Sequence, residues 1–156
     1  NGVAAGAGAN VALAADIVIA TRSASFIQPF CKLGLIPDTG GTWILPRLLG
    51  TARAMGLAML GDKLSADKAE EWGLIWKSVP DAEFQTTVDK MLAGLAKAPT
   101  RGLARTKELL LGSGTLELDE ALQREAEVMR ELGFSDDYRE GVSAFMEKRT
   151  ANFTGK

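Results

Sequence analysis

Hydrophobic positions change their rhythm along this chain. Val3-Ala4-Ala5 reads as the end of a strand running into the glycine turn Gly6-Ala7-Gly8. Small residues from Ala9 to Ala15 then predict a short helix, buried on most sides. The compact apolar run Asp16–Ala20 predicts a strand, and Ser25–Gln28 another. Pro37–Gly41 reads as a loop leading into a helix through Trp43-Ile44-Leu45, with a second helix over 52–60 stopped by Gly61. Ser65 is placed to cap a helix with Asp67 in its first turn and Gly73 at its end. Leu74–Val79 is strand-like. Beyond it the period is helical: a helix capped by Asp81 to about Ala96, helices near 100–111 and 116–132, and a last one capped by Ser135 with Val142, Phe145 and Met146 on one face. Turn, helix and strand in quick succession predict layered α/β packing, followed by a helical region.

The 156 residues (16.6 kDa) are 46% hydrophobic and 24% charged, a globular composition. The net charge of −2 and pI near 5.3 give no basis for wrapping nucleic acid or coating an anionic membrane. Cys31 is the one cysteine, so neither an internal disulfide nor a multi-cysteine metal cage is available, and buried packing is its expected role. With no histidine, Ser-His-Asp and Cys-His nucleophile systems and histidine metal ligation drop out. Chemistry must rest on carboxylates, backbone amides, Lys or Arg, and no metal is expected. The chain opens on Asn1 rather than Met and carries neither a signal-like segment nor an apolar run long enough to span a membrane, so a cytoplasmic piece of a longer fold is expected.

Two short motifs point to chemistry that the rest of the chain denies them. Gly6-x-Gly8 begins a dinucleotide-binding pattern, but Val11 stands where the third glycine belongs and no acidic residue ends the following strand. Asp38-Thr39-Gly40 matches the triplet of aspartic proteases, which need two such aspartates in all-β lobes. What survives is a glycine turn that lets a ligand approach the backbone, at a helix N-terminus that aims its N–H groups at negative charge, and a lone carboxylate in an apolar loop. Trp43, Trp72 and Trp76 are expected in the core, and the charges from Glu117 to Glu131 on a solvated helix face.

The ordered blocks Asn1–Gly8, Ala15–Ala20, Ala24–Pro29, Leu33–Thr42, Leu60–Ala66 and Ala69–Leu74, with the tail Glu140–Arg149 and Asn152-Phe153, closely resemble the crotonase superfamily (enoyl-CoA hydratase/isomerase) over essentially the whole chain. The resemblance implies an α/β fold, a crotonase-like spiral of β-β-α units of which residues 1–80 would be the C-terminal part, carrying the oxyanion turn and the catalytic loop. Residues 81–156 would form a helical region that assembles trimers, often paired as hexamers. It also implies an N-terminal portion preceding Asn1, which in the family carries the other oxyanion N–H and much of the coenzyme A pocket.

The same resemblance implies residue roles. The substrate would be an acyl-CoA thioester, with no separate cofactor because coenzyme A belongs to the substrate. Its thioester oxygen would accept the Ala7 N–H, a position usually Gly in the family. Hydratases of the family use two glutamates, at the positions matching Asn10 and Phe30, and both are missing. The third position, used mainly by isomerases, is Asp38, where one carboxylate would take a proton from one carbon and return it to another. Gly6, Asn10, Phe30 and Pro37 would line the substrate pocket, and Phe30 would leave it apolar and poor in water. Lys148, Phe153 and Lys156 would reach coenzyme A from the tail. Asn10, Phe30 and Asp38 together look most like the isomerases of phenylacetate degradation, which convert ring-1,2-epoxyphenylacetyl-CoA to oxepin-CoA and are similar to Δ3,Δ2-enoyl-CoA isomerases. The alternatives are an enoyl-CoA hydratase of the same family, or a non-catalytic CoA-binding or assembly subunit.

Overall fold

The computed structural model describes residues 1–156. Strand β1 (Val3–Ala5) leads into helix α1 (Ala7–Leu13), then β2 (Ile19–Thr21), β3 (Ser25–Ile27) and a 3-10 turn at Pro29–Leu33. Helix α2 (Gly41–Leu60), β4 (Leu64–Ser65), α3 (Ala66–Trp72), β5 (Lys77–Val79) and α4 (Phe84–Ala96) follow. Helices α5 (Thr100–Gly112), α6 (Leu118–Leu132) and α7 (Asp136–Glu147) complete the chain. The central strand β3 pairs in parallel with β1, Ala4 opposite Phe26, and antiparallel with β4, Phe26 opposite Leu64. A separate parallel pair joins β2 to β5, Ile19 opposite Lys77. The chain falls into two compact units, Asn1–Val88 and Asp89–Lys156. No helix is long and apolar enough to cross a membrane.

The core lies in the first unit. Ala9 and Leu13 of α1, Phe26, Leu64, Leu45, Leu49 and Leu57 of α2, and Ala66 and Ala69 of α3 form one buried cluster with Leu74 and Ile75. Burying a side chain such as Phe26 or Leu45 contributes about 1.5–3 kcal/mol. Small residues at Ala9, Ala66 and Ala69 let the helices approach closely. Helix α2 is broken at Gly50 (φ 71°, ψ 163°), which separates the two helices expected around it. Ser65 caps α3 by accepting the Lys68 N–H, and Gly73 ends it in the left-handed conformation, as its pattern predicts.

Several expectations are corrected. The run Leu74–Val79 is strand only from Lys77, because the N–H groups of Leu74 and Ile75 turn back to the Ala69 carbonyl at the end of α3. Those two residues are apolar because they are buried beneath that helix end. The strand expected from Asp16 likewise begins at Ile19. Helix α1 buries one face only, Ala9, Asn10 and Leu13, and leaves Val11 exposed. Trp43 and Trp76 are exposed rather than core, and the Arg47 guanidinium covers the Trp43 ring at 3.9 Å. Cys31 is half-buried. Asp81 does not cap α4. It opens a separate 3-10 turn, and its carboxylate accepts the backbone N–H (3.1 Å) and the hydroxyl of Ser23. Those bonds, the hydroxyl foremost, hold its pKa below the usual carboxylate range.

The second unit is helical and sparsely buried. Ala144 is its one buried hydrophobic residue, and Val142, Phe145 and Met146 of α7 are exposed. Ser135 caps α7 by accepting the Tyr138 N–H at 3.0 Å. Helices α5 and α6 are joined by Arg101 and Arg105, which both bond the Glu131 carboxylate. Glu131 is thus a charge of the α6 face placed in an interhelical pair.

Candidate active site

The first unit brings Gly6, Ala7, Asn10, Phe30, Pro37 and Asp38 together. Gly6 sits between β1 and α1 with φ 56°, donating its N–H to the Ile27 carbonyl at 2.9 Å. Its own carbonyl accepts the Ala9 and Asn10 N–H groups, which starts the helix. The N–H groups of Ala7 and Gly8, at the first two helical positions, have no acceptor within α1. The Phe30 ring covers Gly6: a Cβ built there would lie 3.5 Å from the ring edge. Gly6 therefore suits both the positive φ and the close ring. Phe30 is itself buried, with its 3-10 turn closed by the Leu35 N–H on its carbonyl.

Asn10 is 1% exposed. Its side chain meets that of Gln28, also 1% exposed, head to head: Gln28 Nε2 donates to Asn10 Oδ1 at 2.7 Å, and Asn10 Nδ2 lies 3.5 Å from Gln28 Oε1. The same Nδ2 donates to the Asp38 carbonyl at 2.9 Å. Because a carbonyl can only accept, this bond fixes which end of the amide faces the loop. Asn10 is thus enclosed in protein, tying the glycine turn to the Asp38 loop. Gly41 makes room for it: a Cβ there would overlap Asn10 Nδ2 and lie 2.9 Å from Pro37 Cβ.

Asp38 is exposed, at the head of a turn whose central residues, Thr39 (φ 49°) and Gly40 (φ 79°), are both left-handed. The turn closes with the Gly41 N–H on the Asp38 carbonyl at 2.7 Å. The Thr39 hydroxyl donates to Asp38 Oδ1 at 3.0 Å. Leu33, Leu35 and Ile36, just before the loop, are 72%, 61% and 75% exposed.

The tail residues lie in the second unit. Phe153 stacks against Gly141 and borders an open apolar hollow of about 750 Å³ with Phe134, Tyr138 and Phe145. Lys148 ends α7 in the left-handed conformation (φ 55°), and Lys156 is exposed with its carbonyl accepting the Asp137 N–H. The buried Asp137 carboxylate accepts the Thr154 and Gly155 N–H groups at 2.7 and 2.9 Å. Glu140 accepts the Asn152 N–H and pairs with Arg149. That arginine, with the backbone bond second, brings the Glu140 pKa down to about 2.

Sequence reasoning missed the parts played by Gln28, Thr39, Gly41 and Asp137. Gln28 and Gly41 lie within the motif blocks quoted above, but neither an amide pair 18 positions apart nor a missing Cβ has a local signature.

A family model described as enoyl-CoA hydratase/isomerase matches residues 1–156, the same stretch that holds the turn and the loop. The chain belongs to the enoyl-CoA hydratase/isomerase family. Over its whole length it is 56% identical to the 1,2-epoxyphenylacetyl-CoA isomerase of Escherichia coli K12, covering 60% of that relative. It is 50% identical to a protein of Rhodobacter capsulatus named a probable enoyl-CoA hydratase, covering 61% of it. The enoyl-CoA hydratase of Bacillus anthracis superposes with a TM-score of 0.95 at 34% identity, over 100% of this chain and 60% of that one. The fold is therefore the crotonase fold of the family. The chain spans about 60% of the length of the curated relatives it matches.

Proposed function

We propose that this chain supplies the catalytic loop and one oxyanion donor of an acyl-CoA isomerase. The observation that carries the reading is the state of the carboxylate positions. Asn10 and Phe30 hold the two places where the family resemblance puts hydratase glutamates, and both are buried in neutral contacts. Asp38 is the carboxylate left at the site, on a turn tied to the glycine turn. In this reading the Asp38 carboxylate removes a proton from one carbon of the acyl group. The electron pair moves into the thioester carbonyl, whose oxygen becomes an enolate oxyanion held by the Ala7 N–H and a second donor from outside this chain. The proton then returns to another carbon, so no atom is gained or lost. Removing one oxyanion donor typically costs about 2.7–4 kcal/mol of barrier, so both donors are needed for full turnover.

The 56% identical relative favours 1,2-epoxyphenylacetyl-CoA as substrate, with Δ3 to Δ2 enoyl-CoA isomerisation as the related reaction. Gly6, Phe30 and Pro37 would shape the acyl pocket, and Phe153, Lys148 and Lys156 would contact the coenzyme A of this or a neighbouring subunit. Exposed Leu110, Leu111, Met129 and Phe145 in the second unit support assembly into trimers or hexamers. The test is Asp38→Asn in the full-length protein. It is expected to lower isomerase turnover by about 10²–10⁴-fold and to leave acyl-CoA binding in place. Near-normal turnover would overturn the reading. Hydration of crotonyl-CoA as fast as isomerisation would favour the hydratase named among the relatives. Binding without turnover of any acyl-CoA would point to an assembly subunit.

A further inference from the structure

The Asp38 turn has an unusual construction. Both central residues have positive φ, a conformation suited to Gly, Asn or Asp, yet the first is Thr39, a β-branched residue for which it is strained. Such strain persists where the surroundings over-determine it. Here they do. The Asp38 carbonyl accepts two donors, Gly41 N at 2.7 Å and Asn10 Nδ2 at 2.9 Å, and Asn10 is itself locked by the buried Gln28 amide. A glycine at 39 would adopt the same backbone without strain. What threonine adds is the hydroxyl 3.0 Å from Asp38 Oδ1. We propose that Asn10 and Thr39 are positioning residues for Asp38: the Asn10 amide fixes its main chain and the Thr39 hydroxyl fixes Oδ1, leaving Oδ2 to carry the proton. The proposal deepens the isomerase reading and rests on it. The same geometry gives Asn10 a role other than contact with substrate, since its polar atoms are spent on Gln28 and on the loop carbonyl.

Thr39→Gly separates this role from a structural one, because it relieves the strain and removes the hydroxyl together. In the full-length protein it is expected to melt at the same or a higher temperature, while kcat falls about tenfold and KM stays within about twofold. Thr39→Ser, which keeps the hydroxyl, restores most of that loss. Asn10→Asp replaces the donor facing the Asp38 carbonyl with an acceptor, and kcat falls about 10²-fold at little-changed KM. Should Asn10→Asp fail to fold, the Thr39 pair decides. Parental kcat in Thr39→Gly, or equal losses in Thr39→Gly and Thr39→Ser, overturns the proposal. Asp38→Asn, run alongside, keeps the two readings apart. If it retains turnover, the isomerase reading falls. If it is inactive while Thr39→Gly is fully active, only the positioning role falls.

Discussion

Each unit of this chain fastens a backbone segment with side chains, and they do it with opposite chemistry. The first holds the Asp38 turn with a pair of neutral amides, Asn10 and Gln28, both out of contact with water. The second holds its tail with carboxylates: Asp137 on the Thr154 and Gly155 amides, and Glu140 on the Asn152 amide with Arg149 beside it. A neutral hold in a dry interior does not respond to pH or salt, and it is costly to break because each freed polar group is stranded. Of the two carboxylates, Glu140 with Arg149 beside it lies nearer water, and that part of the clasp is cheaper to open and answers to pH. In the proposed function, a loop that presents one carboxylate at a fixed angle gains from the first arrangement.

The comparison is broken most directly at Gly41. Gly41→Ala drives a methyl into Asn10 Nδ2 and against Pro37, and a well-packed core resists such an insertion by about 1–3 kcal/mol. Chemical denaturation should read that loss, accompanied by a fall in turnover as the Asp38 turn shifts. Next comes Gln28→Met, which keeps the volume but leaves Asn10 Oδ1 buried without its donor. A loss of about 1–3 kcal/mol is expected, measured by the same unfolding curves. In the second unit, Asp137→Ala should leave amide exchange in α1 and β3 unchanged while speeding it at Thr154 and Gly155 by tenfold or more, roughly the worth of hydrogen bonds to a charged acceptor. The smallest effect sharpens the contrast. Glu140, brought down to about 2, contributes stability fully present above its unfolded value near 4.5 and lost as pH falls through about 2. The Asn152 amide resonance should therefore titrate near pH 2. A midpoint near 4.5 would show that the clasp does not form.

Local chemistry was legible from the sequence and remote chemistry was not. Ser65 and Ser135 cap their helices as expected because a cap acts within one turn of chain, and Gly61 and Gly73 end theirs for the same reason. The glycine turn and the Asp38 loop were readable from motif order. The Asn10–Gln28 pair was not, since nothing local distinguishes an amide that lines a pocket from one that braces a loop. Leu74-Ile75 shows the converse difficulty: burial beneath a helix end and burial in a sheet leave the same apolar run. Trp43 and Trp76 failed because composition carries no information on which large side chains reach the core.

The bond from Asn10 to the Asp38 carbonyl also limits what position 10 can carry. The position at which related hydratases would carry a glutamate is the one whose donor fixes this loop. A carboxylate there would set acceptor against acceptor, so in the proposed single-carboxylate site a change at position 10 alone would loosen the turn that carries Asp38 before a second carboxylate could be of use.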